Sequence, residues 1–276
     1  MVTFQMERDM VGSRMREALE QRGFALGSTT QMYAPEISEV QSAAGFDFVF
    51  IDMEHGALGI EAVTNLIRAV KAGGAATPIV RLPEASPVET ARILDAGAQG
   101  IVVPTVESAE QIRAVVAAAY YAPRGRRGAC PTVRANHHGV QPWAEYAEWS
   151  ANNMFICATI ESVKGVQNFE EIISVPGLDA ISIGTFDLSL SMGYDGDYAH
   201  PEVVATFERL SEGARAKGLD IMGAVLDYNR LEAELDRLTA GGVRIVLFPG
   251  DRFLLSSIYR SAGQTVSRIR ERRTAN

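Results

Sequence analysis

The stretch FDFVFIDMEHGALG, Phe46 to Gly59, sets an apolar run directly against charge. Phe48 to Ile51 has no polar alternation, which reads as a strand buried on both faces, as in a parallel sheet wrapped by helices. Asp52, Glu54 and His55 then arrive within four positions. Burying two carboxylates and an imidazole side by side is costly unless something pairs with them. The end of this strand is therefore a candidate site.

Outward from it, short β-branched runs recur, each followed by a longer segment of helical periodicity. The strands expected are ALGSTTQ (25–31), FVFID (48–52), PIVRL (78–82), GIVVP (100–104), FICATIE (155–161), AISIGT (180–185), DIMGAVL (220–226) and RIVLFP (244–249). Between them lie helical segments such as GIEAVTNLIRAVKAG and SPVETARILDAGA, several opening on Ser, Asn or Pro and closing on Gly as helix caps do. Eight βα units in about 250 residues fit a (β/α)8 TIM barrel better than an open doubly wound sheet, and no G-x-G-x-x-G or Walker motif is present. The whole chain, 1–276, reads as a single barrel domain with a tail over 1–10 and a C-terminal helix over 250–272. Residues 124–151 read as a long polar connection between the fourth and fifth strands, either a functional loop or a subunit contact.

Composition excludes several classes. Lys and Arg number 26 against 34 Asp and Glu, a net charge of −8, and the acids are spread along the chain. That argues against nucleic acid and anionic membrane as partners. No apolar run approaches the roughly 20 residues of a membrane span, and the charged N-terminus lacks a signal peptide's apolar core; the cytoplasm is the expected location. Two cysteines, Cys130 and Cys157, are too few for a disulfide framework and are not in metal-ligand spacing.

In such a barrel, catalysis belongs to the C-terminal ends of the strands, where the loops converge. Asp52 and His55 follow the second strand, Arg81 ends the third, Glu161 ends the fifth and Asp187 lies just after the sixth. Glu161 and Asp187 suit a hard divalent cation such as Mg2+ or Mn2+, with positions left for water and a chelating 2-oxo acid. Arg81 would hold that acid and offset negative charge on its enolate. His55 is the natural acid/base, and Asp52 is expected to orient its imidazole. Glu54 falls on Asp52's side by alternation. RGRRG (124–128) is read as a phosphate-binding loop or a solvated or intersubunit turn, and His137 and His138 as a substrate loop or surface. The apolar stripe over 254–270 is read as a packing helix in preference to a partner site.

The patterns GFDFVFIDMEHG, PIVRL, LDAGAQGIVVPTV, YAPRGRRG, TIE and SIGTFDLSLSMGY, in that order and spanning nearly the whole chain, resemble the HpcH/HpaI aldolase family of metal-dependent class II pyruvate aldolases. The resemblance implies a barrel of the phosphoenolpyruvate/pyruvate type that reversibly cleaves a 4-hydroxy-2-oxo acid to pyruvate, or a close 2-oxo acid, and an aldehyde. It implies a divalent cation (Mg2+, Mn2+ or Co2+) on Glu161 and Asp187, acid/base work by His55 with Asp52 beside it, and Arg81 as pyruvate anchor. Gly184, Thr185 and Phe186 would border the substrate, and Asp95 would reach a neighbouring subunit's site in a homo-oligomer, a hexamer made as a trimer of dimers that exchange C-terminal helices. The chain departs from the family pattern where GTFDLS replaces the usual GPADLS, and where Thr159 replaces a Gln two residues before the metal-binding Glu. On the same barrel, a CoA-thioester lyase or an enolate-type decarboxylase or cyclase is the alternative, with the Arg124–Arg127 loop for the CoA phosphates; a non-catalytic binding or assembly barrel is the third reading.

Overall fold

The computed structural model describes residues 13–225 and 227–274 of the 276-residue chain. The tail expected over 1–10 lies outside the described residues. Eight strands, β1 (Ala25–Thr30), β2 (Phe48–Asp52), β3 (Thr77–Arg81), β4 (Gly100–Val103), β5 (Phe155–Ile160), β6 (Ala180–Ile183), β7 (Asp220–Ala224) and β8 (Ile245–Phe248), pair in parallel and in sequence order, and β1 closes on β8. This is the (β/α)8 barrel, with each expected strand in place and its ends shifted by no more than two residues among those described.

The helices are α1 (Arg14–Arg22), α2 (Pro35–Ala43), α3 (Ile60–Gly73), α4 (Pro87–Asp95), α5 (Ala109–Ala119), α6 (Trp143–Asn153), α7 (Val163–Gln167), α8 (Phe169–Ile173), α9 (Thr185–Ser191), α10 (Pro201–Ala216), α11 (Leu231–Ala240) and α12 (Asp251–Thr274). Local chemistry starts several of them. Ser86 accepts a hydrogen bond from the Glu89 amide at α4, and Ser108 with Gln111 makes a full capping box at α5. One expectation needs correction. The segment 124–151 is not an open loop, because α6 occupies its end and Tyr121, Trp143, Tyr146 and Trp149 pack ring against ring there.

Strand alternation divides the core in two. Outward residues such as Val49, Ile51, Val80, Ile101 and Ile156 meet the helices in one large cluster. Inward residues such as Phe48, Phe50, Ile79, Phe155 and Cys157 fill the barrel, and Met15, Ala18 and Leu19 of α1 join them, so α1 plugs the N-terminal end. With that end closed, the polar inward positions are left at the C-terminal mouth. No helix among the described residues is long and apolar enough to cross a membrane.

Candidate active site at the barrel mouth

Alternation and register build the first part of the site. Phe48 and Phe50 point inward on β2, so Asp52 does too, and on β3 the inward set is Ile79 and Arg81. The register makes Asp52 and Arg81 lateral neighbours. Asp52 Oδ1 and Oδ2 accept from Arg81 Nε at 2.8 Å and Nη2 at 2.7 Å, a two-pronged pair, and Gln31 Nε2 from β1's end adds a third bond at 2.8 Å. Arg81 Nη1 lies 2.9 Å from Glu54 Oε2, and the guanidinium sits 5.5 Å from the Phe50 ring centroid. Burial works against charge on Asp52, but Arg81 and Gln31 outweigh it and hold its carboxyl below the usual range. Burial also opposes Arg81's charge, and the Asp52 hydrogen bonds and the carboxylates around it outweigh that, pushing its pKa up. Glu54 goes the other way: burial raises it, Arg81 pulls it down, and nearby Glu161 raises it further.

Glu161, one residue beyond β5, is only 8% exposed. Its Oε1 accepts from the Thr105 amide at 2.7 Å and the Thr105 hydroxyl at 3.0 Å. Thr105 holds a φ of +46°, unusual for a β-branched residue and worth about 1–3 kcal/mol of strain. The opposite face of Glu161 packs on Gly184, where an added Cβ would come within 2.6 Å of Oε2. Gly184 starts α9, whose first turn carries Asp187, an exposed carboxylate with no hydrogen-bond or ionic partner among the described residues. Asp52, Glu54, Glu161 and Asp187 thus share this end of the barrel with Arg81, with Asp251 and Arg252 tied to the loops beside them, an excess of negative charge that suits a hard cation. Among the described residues no group of three or more His, Cys, Asp or Glu encloses a metal. Two carboxylates plus open positions is the donor set expected of Mg2+-type sites that also bind substrate.

His55 stands at the rim with its side chain 57% exposed, Nε2 3.7 Å from Glu54 Oε2. Asp52 does not orient that imidazole as expected: it meets His55 only through the backbone, the amide donating to Oδ1 at 3.3 Å, while its carboxylate is spent on Arg81. The loop can fold back because residue 56 is glycine; a Cβ there would collide with the Asp52 carbonyl oxygen. Gln31, Thr105 and Asp251 were not singled out from sequence. Each lies within four residues of a strand's C-terminal end, so the rule that flagged Asp52 and Glu161 applies to them as well.

A cavity of about 240 Å3 opens beside Arg81, lined also by Thr29, Gln31, Thr159, Ser182 and Leu247. Thr159 therefore reaches the site. Phe186 is 55% exposed and its ring lies against Gly196 outside that lining. Other candidates sit elsewhere. Arg127 is buried, bonded to Asp95 through Nη2 at 2.6 Å and stacked 4.8 Å from Tyr121, while Arg124 stacks on Tyr120 and donates to the Ala151 carbonyl. The basic loop that would have served CoA phosphates is largely consumed by its own chain. His137 and His138, both at positive φ, line a separate cavity of about 260 Å3 with Gly97 and Gln99, beside the start of β4 at the opposite end of the barrel.

A family model described as HpcH/HpaI aldolase/citrate lyase matches residues 30–245. A 5-keto-4-deoxy-D-glucarate aldolase of Citrobacter koseri is 32% identical over 264 residues, 95% of this chain and 98% of that one. A 2-dehydro-3,6-dideoxy-6-sulfogluconate aldolase of Pseudomonas putida is 34% identical over 74% of this chain and 78% of its own. Among solved structures, an HpcH/HpaI aldolase/citrate lyase family protein of Burkholderia cenocepacia superposes with a TM-score of 0.83 at 26% identity, covering 92% of this chain and 99% of that chain.

Proposed function

The chain belongs to the HpcH/HpaI aldolase/citrate lyase family and is an aldolase, a carbon–carbon lyase; from that premise we propose that it cleaves a 4-hydroxy-2-oxo acid, reversibly, to pyruvate or a close 2-oxo acid and an aldehyde. The observation that carries this reading is the excess of carboxylate around Arg81 at the mouth, with Glu161 held in place and Asp187 without a partner among the described residues. Glu161 and Asp187 would hold a divalent cation, Mg2+, Mn2+ or Co2+. When bound, such an ion polarises the 2-oxo group and stabilises the negative charge that develops there.

Arg81 spends two N–H groups on Asp52 and pairs by charge with Glu54. The N–H groups left on Nη1 and Nη2 remain for the substrate's carboxylate or oxo oxygen, and the clamp fixes their direction before substrate arrives. The substrate then lies beside Gly184, Thr185 and Phe186, next to Glu161. His55 at the rim removes the proton of the C4 hydroxyl. The C3–C4 bond breaks, C4 leaves as the aldehyde carbonyl, and the electron pair passes into the 2-oxo group as the enolate that protonation at C3 turns into pyruvate.

We place this activity in a cytoplasmic homo-oligomer, a hexamer made as a trimer of dimers, in which Asp95 reaches a neighbour's site. The exposed apolar residues of α12 support assembly. The decisive assay is pyruvate release from a 4-hydroxy-2-oxo diacid before and after EDTA treatment. Activity should vanish and return with Mn2+, and His55→Ala should lower kcat by about 10²- to 10⁴-fold. Full activity of the metal-free protein would overturn the reading.

A further inference from the structure

The carboxylate of Glu161 is held from one side only. Oε1 receives two donors, the amide and the hydroxyl of Thr105, while Oε2 lies over the bare Cα of Gly184 at the start of the helix that carries Asp187. Thr105 follows β4 at a φ of +46°, a conformation that glycine adopts freely and a β-branched residue resists. Its surroundings enforce that conformation. The next amide, Val106, donates to the Thr159 carbonyl at 3.0 Å, and Gln111 Nε2 donates to the Thr105 carbonyl at 3.4 Å. Glycine would supply the same backbone amide to Glu161 without strain. What threonine adds is the hydroxyl on Oε1.

We infer that Thr105 is a positioning residue for the cation site: by occupying Oε1 with two donors it restricts Glu161 to offering Oε2, and it fixes the direction in which that oxygen points. The inference rests on the reading that Glu161 is a cation ligand. Partners behind a metal-binding group set its orientation, and their loss commonly weakens metal affinity by 10- to 100-fold. A carboxylate limited to one free oxygen suits a small octahedral ion such as Mg2+ or Mn2+. It disfavours Ca2+, which takes more oxygen ligands and often both oxygens of a carboxylate. Thr105 thereby contributes selectivity as well as affinity.

The test measures Mn2+ binding by electron paramagnetic resonance in the substrate-free full chain, with Ca2+ competition. Thr105→Val removes the hydroxyl at nearly constant shape, Thr105→Ser keeps it, and Thr105→Gly removes it while relieving the backbone. The valine and glycine variants should each weaken Mn2+ binding about tenfold and narrow the preference over Ca2+, and the serine variant should restore both. Since glycine favours this φ, Thr105→Gly should melt no lower than the native chain, which separates lost positioning from lost folding. Native Mn2+ affinity in the valine and glycine variants, or a serine variant as weak as valine, would overturn the inference. Glu161→Gln distinguishes the deeper failure. If it binds Mn2+ as the native chain does, the assignment of Glu161 falls and takes this inference with it; if it loses Mn2+ while Thr105→Val and Thr105→Gly do not, only the positioning role falls.

Discussion

Asp52 is fully buried, and it is tolerable there because Arg81 meets both of its oxygens and Gln31 meets one of them again. Removing the charge from Asp52 leaves Arg81 only its neighbour Glu54, so Asp52→Asn should cost about 3 kcal/mol in urea unfolding, the low end for a broken buried pair because Arg81 keeps Glu54 and some access to water. The pH dependence has a definite sign. A carboxyl whose folded pKa is lowered adds stability above its unfolded value near 4, and that stability fades as pH falls through the lower folded value. The native chain should therefore exceed the variant by a constant margin from about pH 5 to 8, and the margin should close on acidification below about pH 4. A margin unchanged at pH 3 would show that charge is not what Asp52 contributes. The same pair marks the limit of sequence reading at this scale. That Asp52, Arg81 and Glu161 sit at strand ends is legible from apolar runs; that Asp52 serves Arg81 rather than His55 is not, because the lateral partner is set by the β2–β3 register, which the periodicity of one strand does not contain.

At the scale of elements, the site depends on α12 as much as on the strands. Asp251, its first residue, is 4% exposed and accepts from the amides of Gln31 and Met32 at 3.1 and 3.0 Å, and Arg252 beside it donates to the His55 carbonyl at 3.2 Å. One helical turn thus ties together the loops after β1 and β2. Asp251→Ala would strand the Gln31 and Met32 amides and should cost about 1–3 kcal/mol. Hydrogen exchange should quicken at those two amides and stay unchanged in β5; equal exchange at Gln31 and Met32 in both proteins would mean that Asp251 is not their anchor. The helix itself was legible, expected over 250–272 and observed over Asp251–Thr274. Its tether was not, because an Asp at a helix start reads equally well as an ordinary cap. α6 was missed for another reason. Its aromatic residues pack on Tyr121 from the preceding loop, and such a cluster gives no regular apolar stripe along the helix.

For the whole molecule, the long arm of α12 is the feature a single chain leaves unexplained. Twenty-four residues make a helix about 36 Å long, yet only Asp251 is buried, and beyond Ser257 the described helix runs exposed. Ile258, Tyr259, Val266 and Ile269, from 46% to 71% exposed, fall within an arc of about 100° on the helix wheel, one apolar stripe on a rod of small polar and, toward its end, charged residues. An isolated helix of this kind is marginal in water, and its stability comes from covering such a stripe. The proposed homo-oligomer supplies the cover, with a second copy of the chain. Replacing Ile258 and Tyr259 by glutamate puts two charges in that stripe, and light scattering should then show the mass of one chain, with the barrel's strand signal retained in circular dichroism. Because Asp95 is proposed to serve a neighbouring subunit, pyruvate release should fall with the mass, while Mn2+ binding at Glu161 and Asp187, built within one chain, should persist. An assembly of unchanged mass would place the subunit contact elsewhere; a monomer with full activity would remove Asp95 from catalysis and leave its bond to Arg127 as its whole role.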